Sequence, residues 1–247
     1  MDDSKFEFPK GSKFLVTGGA GFIGSNLVEK ILGLGYEAIV LDNFSTGEEE
    51  NIKEFKDHNK FTLIEGDVRH IEDCEKACRN VDYVLHQAAL GSVPRSIEDP
   101  KSTNDSNICG TLNMMIAARD NHVKRFVYAS SSSVYGDIDV LPKREDKIGN
   151  PLSPYAISKR TGELYGKIFF DLFELPTIGL RYFNVYGKKQ NYHSVYAAVI
   201  PKFIEKLLKT ERPMIHGDGK QSRDFTYVEN VIEANLIACL AEQKAFG

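Results

Sequence analysis

The stretch Phe14-Leu15-Val16-Thr17-Gly18-Gly19-Ala20-Gly21-Phe22-Ile23-Gly24-Ser25-Asn26 constrains the fold more than any other part of this chain. A short apolar run reads as a buried strand, a glycine turn comes next, and Leu27 to Leu32 continue a helix. Gly18 allows the tight turn, Gly21 lets the backbone approach a phosphate, and Gly24 lets the helix pack close to its strand. The free N–H groups at that helix start, with the helix dipole, form a seat for a pyrophosphate. Glycines also end strands for structural reasons, so the run gains its meaning only from the residues later in the chain.

Gly33 and Gly35 end the helix, and residues 36 to 41 form a second strand that stops at Asp42-Asn43. Asp42 stands where a dinucleotide fold presents an acid to the adenosine ribose hydroxyls; an acid there repels a 2′-phosphate and favours NAD over NADP. The alternative is an ordinary strand-end turn residue. Residues 44 to 60 read as a polar loop with a solvated helix. Residues 61 to 68 are a third strand, at whose end Asp67 is expected to meet an adenine amino group. A short helix over 71 to 80 precedes a fourth strand, 81 to 89, that runs into small residues with room for a cofactor. His86 on that apolar strand reads as a structural histidine.

A helix over 105 to 122 carries Ile108, Leu112, Met115 and Ile116 on one side. The fifth strand, 125 to 129, runs into Ser130, Ser131, Ser132 and Ser133, whose hydroxyls suit a polar pocket better than a core. Tyr155 and Lys159 are i and i+4 on a helix running to about Phe173, so their polar ends can converge. An ammonium beside a phenol, aided by the charge of bound NAD, lowers its pKa and makes it a base.

Alternating strands and helices predict an α/β doubly wound parallel sheet over 13–180, after a polar N-terminal arm, 1–12. The remainder, 181–247, reads as segments of a smaller lobe: a helix from about Ala197 to Lys209, short strands at 213–216 and 223–228, and a helix over 229–241. A net charge of -4 with no long basic run gives no reason to expect nucleic acid or membrane binding. No apolar run approaches a membrane span, and the start lacks a secretion signal. Cys74, Cys78, Cys109 and Cys239 show neither metal-ligand nor disulfide spacing, so no metal is expected and a reducing cytoplasm is the natural location.

With Thr17 to Gly24, Asp42-Asn43, Gly66-Asp67-Val68, the serine run, Tyr155 to Lys159 and Arg181 to Gly187 in this order, the chain resembles the extended short-chain dehydrogenase/reductase superfamily. Within it the likeness is to NAD-dependent nucleotide-sugar 4-epimerases. The segments 88–96, 196–203 and 217–225 look most like the branch acting on UDP-N-acetylglucosamine.

The resemblance implies a Rossmann-like fold and an isomerase with Tyr155 as base, Lys159 as its partner and Ser131 on the sugar 4-oxygen. It implies NAD contacts from Gly18, Gly21, Phe22, Ile23 and Gly24, from Asp42, Asn43, Ser45, Thr46 and Gly47, and from Asp67 and Val68. It implies further NAD contacts from Gln87, Ala88, Ala89, Asn107, Ser130, Tyr155, Lys159 and Tyr182. Gly91, Ser92, Ser131, Ser132, Tyr155, Asn184, Gln190, Ala198, Val199 and Arg223 are expected near the UDP-sugar. Dehydratases and decarboxylases of the superfamily carry acidic groups where this chain has Ser132 and Ser133, which points to epimerisation. Relatives continue past the helix at 229–241, so this chain is expected to be short of the family's substrate lobe. The resemblance also implies a homodimer through helices 105–122 and 155–173. UDP-glucose or UDP-glucuronate epimerisation, or an inactive NAD-binding fragment, are the alternatives.

Overall fold

The structure, a computed structural model, describes residues 5–191, 199–215 and 217–245. Six parallel strands form one sheet: β1 (Lys13–Thr17), β2 (Glu37–Asp42), β3 (Phe61–Glu65), β4 (Tyr83–His86), β5 (Arg125–Ser131) and β6 (Thr177–Tyr182). Their order is β3-β2-β1-β4-β5-β6. The order reverses between β1 and β4, and ligands in such sheets bind in the crevice at the carboxyl ends of those strands. Helices cover both faces, which is why the strands are apolar almost throughout rather than alternating. Along β1, Phe14 and Val16 face a core with α1 (Phe22–Gly33), while Leu15 faces the opposite core with α2 (Ile71–Cys78).

The connection after β4 is richer in helix than the sequence suggests. Ser92 caps α3 (Val93–Glu98) and Asp99 caps α4 (Pro100–Asn104), each by accepting a backbone N–H. A π turn over Asp105–Cys109 joins α4 to α5 (Gly110–Asp120), so the helix expected at 105–122 begins five residues earlier. Polar cap followed by proline is a start signal that was present at both Ser92 and Asp99. The same device opens α6 (Pro154–Phe173), where the Ser153 side chain accepts from Ala156 N.

Over the described part of the amino-terminal arm, Phe6 and Phe8 are buried, and Phe8 packs edge-on against Phe14, Tyr36 and Tyr83. Burying two phenylalanines outweighs the polarity of their neighbours. The solvated helix within 44–60 is two 3₁₀ turns, Glu49–Asn51 and Lys53–Phe55, anchored by buried Ile52 and Phe55.

Beyond β6, β7 (Asn184–Tyr186) pairs in parallel with β8 (Phe225–Tyr227), α7 (Val199–Leu208) lies between them in sequence, and α8 (Val228–Leu240) comes last. The strand expected at 213–216 is absent over 213–215: Pro213 offers no N–H, and Met214 and Ile215 are exposed. His216 and the start of the helix expected from Ala197 lie outside the described residues. Although it comes after the sheet in sequence, α8 buries Val228, Ile232 and Leu236 in the same core as α1 and β1. Among the described residues no helix is long and apolar enough to cross a membrane.

Candidate active site

A cavity of about 410 Å³ opens at the carboxyl ends of β1 and β4 and runs from the loop after β2 to the start of α6. Its floor is the glycine turn. Gly18 sits at φ +65°, and a Cβ there would fall 2.8 Å from Ala88 N. At Gly24 a Cβ would fall 2.1 Å from the Gly18 carbonyl, so only glycine lets α1 start this close to β1. No side chain caps α1, and the leading residues Phe22 and Ile23 line the cavity. First-turn N–H groups have no intrahelical partner. The turn therefore presents donors and a positive dipole end to the cavity, which fits a dinucleotide diphosphate.

At one end stand Asp42, Asn43, Ser45, Thr46, Gly47, Asp67 and Val68, all on the cavity wall. The buried Asp42 carboxylate accepts Ala20 N and Phe44 N, each at 2.8 Å. Burial pushes its pKa up and the N–H bonds pull it back. A carboxylate has about four acceptor sites, so capacity remains for a ribose hydroxyl. Asp67 lines the same end of the cavity, with its carboxylate already bonded. Its oxygens accept from Arg69 N, Nε and Nη2 and from Asn43 Nδ2, which holds the carboxyl well below the usual range. Those bonds use its acceptor capacity, and an adenine amino group would have to displace them.

At the other end, three successive turns of α6 reach β5. Tyr155 hydrogen bonds with Ser131, Lys159 Nζ donates to the Ala129 carbonyl at 2.7 Å, and Glu163 Oε1 accepts from Ser130 Oγ at 2.6 Å. Tyr155, Lys159 and Ser131 all line the cavity. The expectation that Lys159 lowers the Tyr155 pKa is not what the protein alone displays: burial pushes the phenol up, and the Ser131 hydrogen bond opposes it. The ammonium lies 5.8 Å from the phenol ring centroid and is spent on Ala129.

Burial pushes Lys159 itself down from 10.5 to about 8. Between these values the unfolded chain holds more protons than the folded one, so this group's contribution to stability rises with pH over that window. Relative to Lys159→Met, the wild type should gain stability from about pH 8 to about pH 10, by at most ~1.4 kcal/mol per pH unit. Urea unfolding of both proteins at the two ends of the window measures this, and parallel pH dependence would contradict a buried ammonium.

The serine run divides its labour. Ser130 also borders the cavity, yet its hydroxyl turns to Glu163, which Arg181 Nε and Nη2 and Arg160 Nη1 grip at 2.8–3.0 Å. Ser133 donates to Ser131, and Ser132 is not on the cavity wall. Glu163 and Arg181 were missed from sequence, although Glu163 comes one helical turn after Lys159 on the same face. His86 is structural as read: it is buried between Thr17 Oγ1 at 2.7 Å and Thr111 Oγ1 at 3.0 Å, and burial lowers it to about 3. Lys189 is a further missed wall residue; it donates to Asn51 O and Glu54 and so ties the segment after β7 to the loop after β2.

Gln87, Ala88, Ala89, Tyr182 and Gly91 line the cavity, but Asn107 does not. Its side chain instead holds Leu90 N and O and Ser158 Oγ, bracing the wall from behind. The expected sugar residues are not gathered on one wall. Ser92 is a helix cap, Asn184 Nδ2 donates to Asp224 O at 2.9 Å, and Arg223 is exposed and donates to Ser222 O. Gln190 borders a separate apolar groove with Tyr186, Pro201 and Leu208, and Val199 is exposed on α7. Ala198 lies outside the described residues. Among the expected sugar residues, Asn184 is in β7, Val199 is on α7 and Arg223 is on an exposed loop, all outside the main sheet.

Known proteins converge on the same reading. Residues 14–246 match the NAD dependent epimerase/dehydratase family. A Methanocaldococcus jannaschii chain with a provisional UDP-glucose 4-epimerase name is 43% identical over 226 residues, covering 91% of this chain and 72% of that one. The structure of a UDP-N-acetylglucosamine 4-epimerase from Methanobrevibacter ruminantium, in complex with UDP-N-acetylmuramic acid, superposes with a TM-score of 0.90 at 42% identity, over 95% of this chain and 74% of that one. A Thermus thermophilus UDP-glucose 4-epimerase in complex with NAD gives 0.84 at 37% identity, over 93% and 75%.

Proposed function

The chain belongs to the NAD dependent epimerase/dehydratase family, and from that premise we propose that it inverts C4 of a UDP-sugar, UDP-N-acetylglucosamine foremost, giving UDP-N-acetylgalactosamine. NAD is its cofactor. The observation that carries epimerisation over dehydration is the catalytic end of the cavity, where the described wall beside Tyr155, Lys159 and Ser131 carries no carboxyl group; Glu163 is not on that wall and is gripped by Arg160 and Arg181, and Asp42, Glu48 and Asp67 lie at the adenosine end. Eliminating water needs an acid beside the departing hydroxyl, and a 4-epimerisation needs only a base and the hydride transfer that NAD would supply.

When bound, NAD supplies a hydride acceptor and donor. Tyr155 takes the proton of the sugar 4-hydroxyl, with Ser131 holding the 4-oxygen and relaying the proton. Lys159 keeps positive charge beneath both, anchored to the Ala129 carbonyl. The sugar would have to turn about its diphosphate linkage to present its other face, and Tyr155 then returns the proton to the 4-oxygen. The glycine turn and Asp42 bind NAD as a resident group, with Asp42 selecting it against NADP. We assign 13–180 to NAD binding and the segments after 180 to the UDP-sugar. The substrate preference rests on the likeness to the Methanobrevibacter enzyme. A proton NMR time course with UDP-N-acetylglucosamine, UDP-glucose and UDP-glucuronate tests it. Conversion of the first is expected, and conversion of only the others would overturn that choice.

We also assign a homodimer. On α6, Ile157, Leu164, Ile168 and Leu172 are 47–68% exposed and fall on one stripe. A stripe this apolar on a helix that carries the catalytic tyrosine on another face suits a partner copy. Leu164→Glu with Ile168→Glu should convert the dimer to monomer in sedimentation velocity, and an unchanged sedimentation coefficient would contradict this interface. The four cysteines are free thiols, which suits a cytoplasmic protein.

A further inference from the structure

Behind the catalytic end of the cavity lies a closed ring of three hydrogen bonds. Tyr182 Oη donates to Gln87 Oε1 at 3.2 Å, Gln87 Nε2 donates to Asn235 Oδ1 at 3.1 Å, and Asn235 Nδ2 donates back to Tyr182 Oη at 2.7 Å. Each member belongs to a different part of the fold: Gln87 comes directly after β4, Tyr182 ends β6, and Asn235 is in the middle of α8. Gln87 and Tyr182 line the cavity, whereas Asn235 is fully buried behind them. Tyr182 is also the register partner of Ser131 across β5 and β6.

The direction of the ring is set from outside the cavity. Asn235 Nδ2 also donates to the Val231 carbonyl, at 2.7 Å. A carbonyl only accepts, so the amide nitrogen must face it and the oxygen must face Gln87. Gln87 is thereby fixed as donor through Nε2, and its own oxygen is left to take the Tyr182 proton. A backbone carbonyl of α8 thus decides where a phenol proton on the cavity wall points. Burial pushes that phenol up to about 12, so it keeps its proton at neutral pH. Of the two tyrosines on the described cavity wall, Tyr182 has its proton committed to Gln87, whereas Tyr155 faces Ser131.

We propose that Asn235 is a positioning residue for the bound dinucleotide: it fixes the Gln87 amide and the Tyr182 hydroxyl on the wall beside Ser131, making α8 part of the cofactor site. This rests on NAD binding and not on which sugar is used. A looser wall lets the two side chains rearrange, and the dinucleotide leaves faster.

The test uses the purified holoprotein and tracks NAD released after dilution, by chromatography, alongside the melting temperature. Asn235→Leu keeps the branching and the number of heavy atoms and opens the ring; it should speed release about tenfold or more. Tyr182→Phe, which deletes one oxygen, should do likewise, and the double variant should be no faster than the more affected single one. Leu236→Ala loosens the packing of α8 without touching the ring, so it should lower the melting temperature and leave release within about twofold of wild type. Should Asn235→Leu not fold, Asn235→Ala takes its place, and unchanged release from it overturns the proposal. Release as fast from Leu236→Ala as from Asn235→Leu, or multiplied effects in the double variant, would make Asn235 a packing residue only. A wild type that carries no dinucleotide would instead overturn the cofactor reading.

Discussion

Tyr155→Phe should lower turnover by about 10²–10⁴-fold, the range for losing a positioned general base, while leaving the bound dinucleotide and the melting temperature close to wild type. The substitution deletes one oxygen at the cavity wall and no core volume. The phenol oxygen hydrogen bonds only with Ser131 among the partners seen, and it is the group able to reach both Ser131 and a sugar hydroxyl. A variant that keeps NAD and turns over at more than about a tenth of the wild-type rate would remove Tyr155 from the chemistry. Steady-state rates with NAD content measured on the same samples separate lost chemistry from lost cofactor.

The second large effect is expected at Gly24, where a single methyl group should empty the site. A Cβ at this position would lie 2.1 Å from the Gly18 carbonyl and 2.8 Å from Gly19 Cα, and both are backbone atoms with nowhere to move. To admit it, α1 must shift off β1 and take its first-turn N–H groups away from the diphosphate seat. Gly24→Ala should therefore cost about 1–3 kcal/mol of stability, as overpacking does, and abolish NAD retention through gel filtration. Gly33, at the other end of α1, has open space around its Cβ direction. Gly33→Ala should be neutral or stabilise by about 0.5–1 kcal/mol. Equal behaviour of the two variants in thermal unfolding and NAD retention would contradict the claim that the glycine turn is built around close approach.

How much of this is legible in the sequence depends on whether a feature is local. The glycine turn, the acid at the end of β2 and the Tyr155–Lys159 pair are defined by spacing along one element, and the structure brings all of them to one cavity. The parallel sheet is legible for the same reason, through alternation of apolar runs with helices. What stays hidden comes from tertiary pairing. Nothing near Phe8 in the chain announces that it meets Tyr36 and Tyr83. Asn235 lies 148 residues from Gln87, and only the fold brings them together. Asp67 is the right residue type at the right strand end, but Arg69, two residues on, claims its carboxylate. Arg223, expected on the diphosphate, is a surface residue of the 217–224 loop. Glu163 is a case where a local signal existed: its place one turn beyond Lys159 marks a third contact between α6 and β5.

In the proposed reaction the glycine turn and Asp42 would hold a resident NAD that would supply the hydride acceptor and donor, so the hydrogen at C4 of the UDP-sugar would stay on that carbon while its configuration inverts. The decisive measurement is the fate of deuterium at C4 of UDP-N-acetylglucosamine, incubated in ordinary water with the purified protein and no added NAD. The expected product is UDP-N-acetylgalactosamine that keeps its deuterium at C4, as seen by mass and by the missing C4 proton signal. Product that has lost the deuterium to water, or a product lighter by one water molecule, would contradict this reaction.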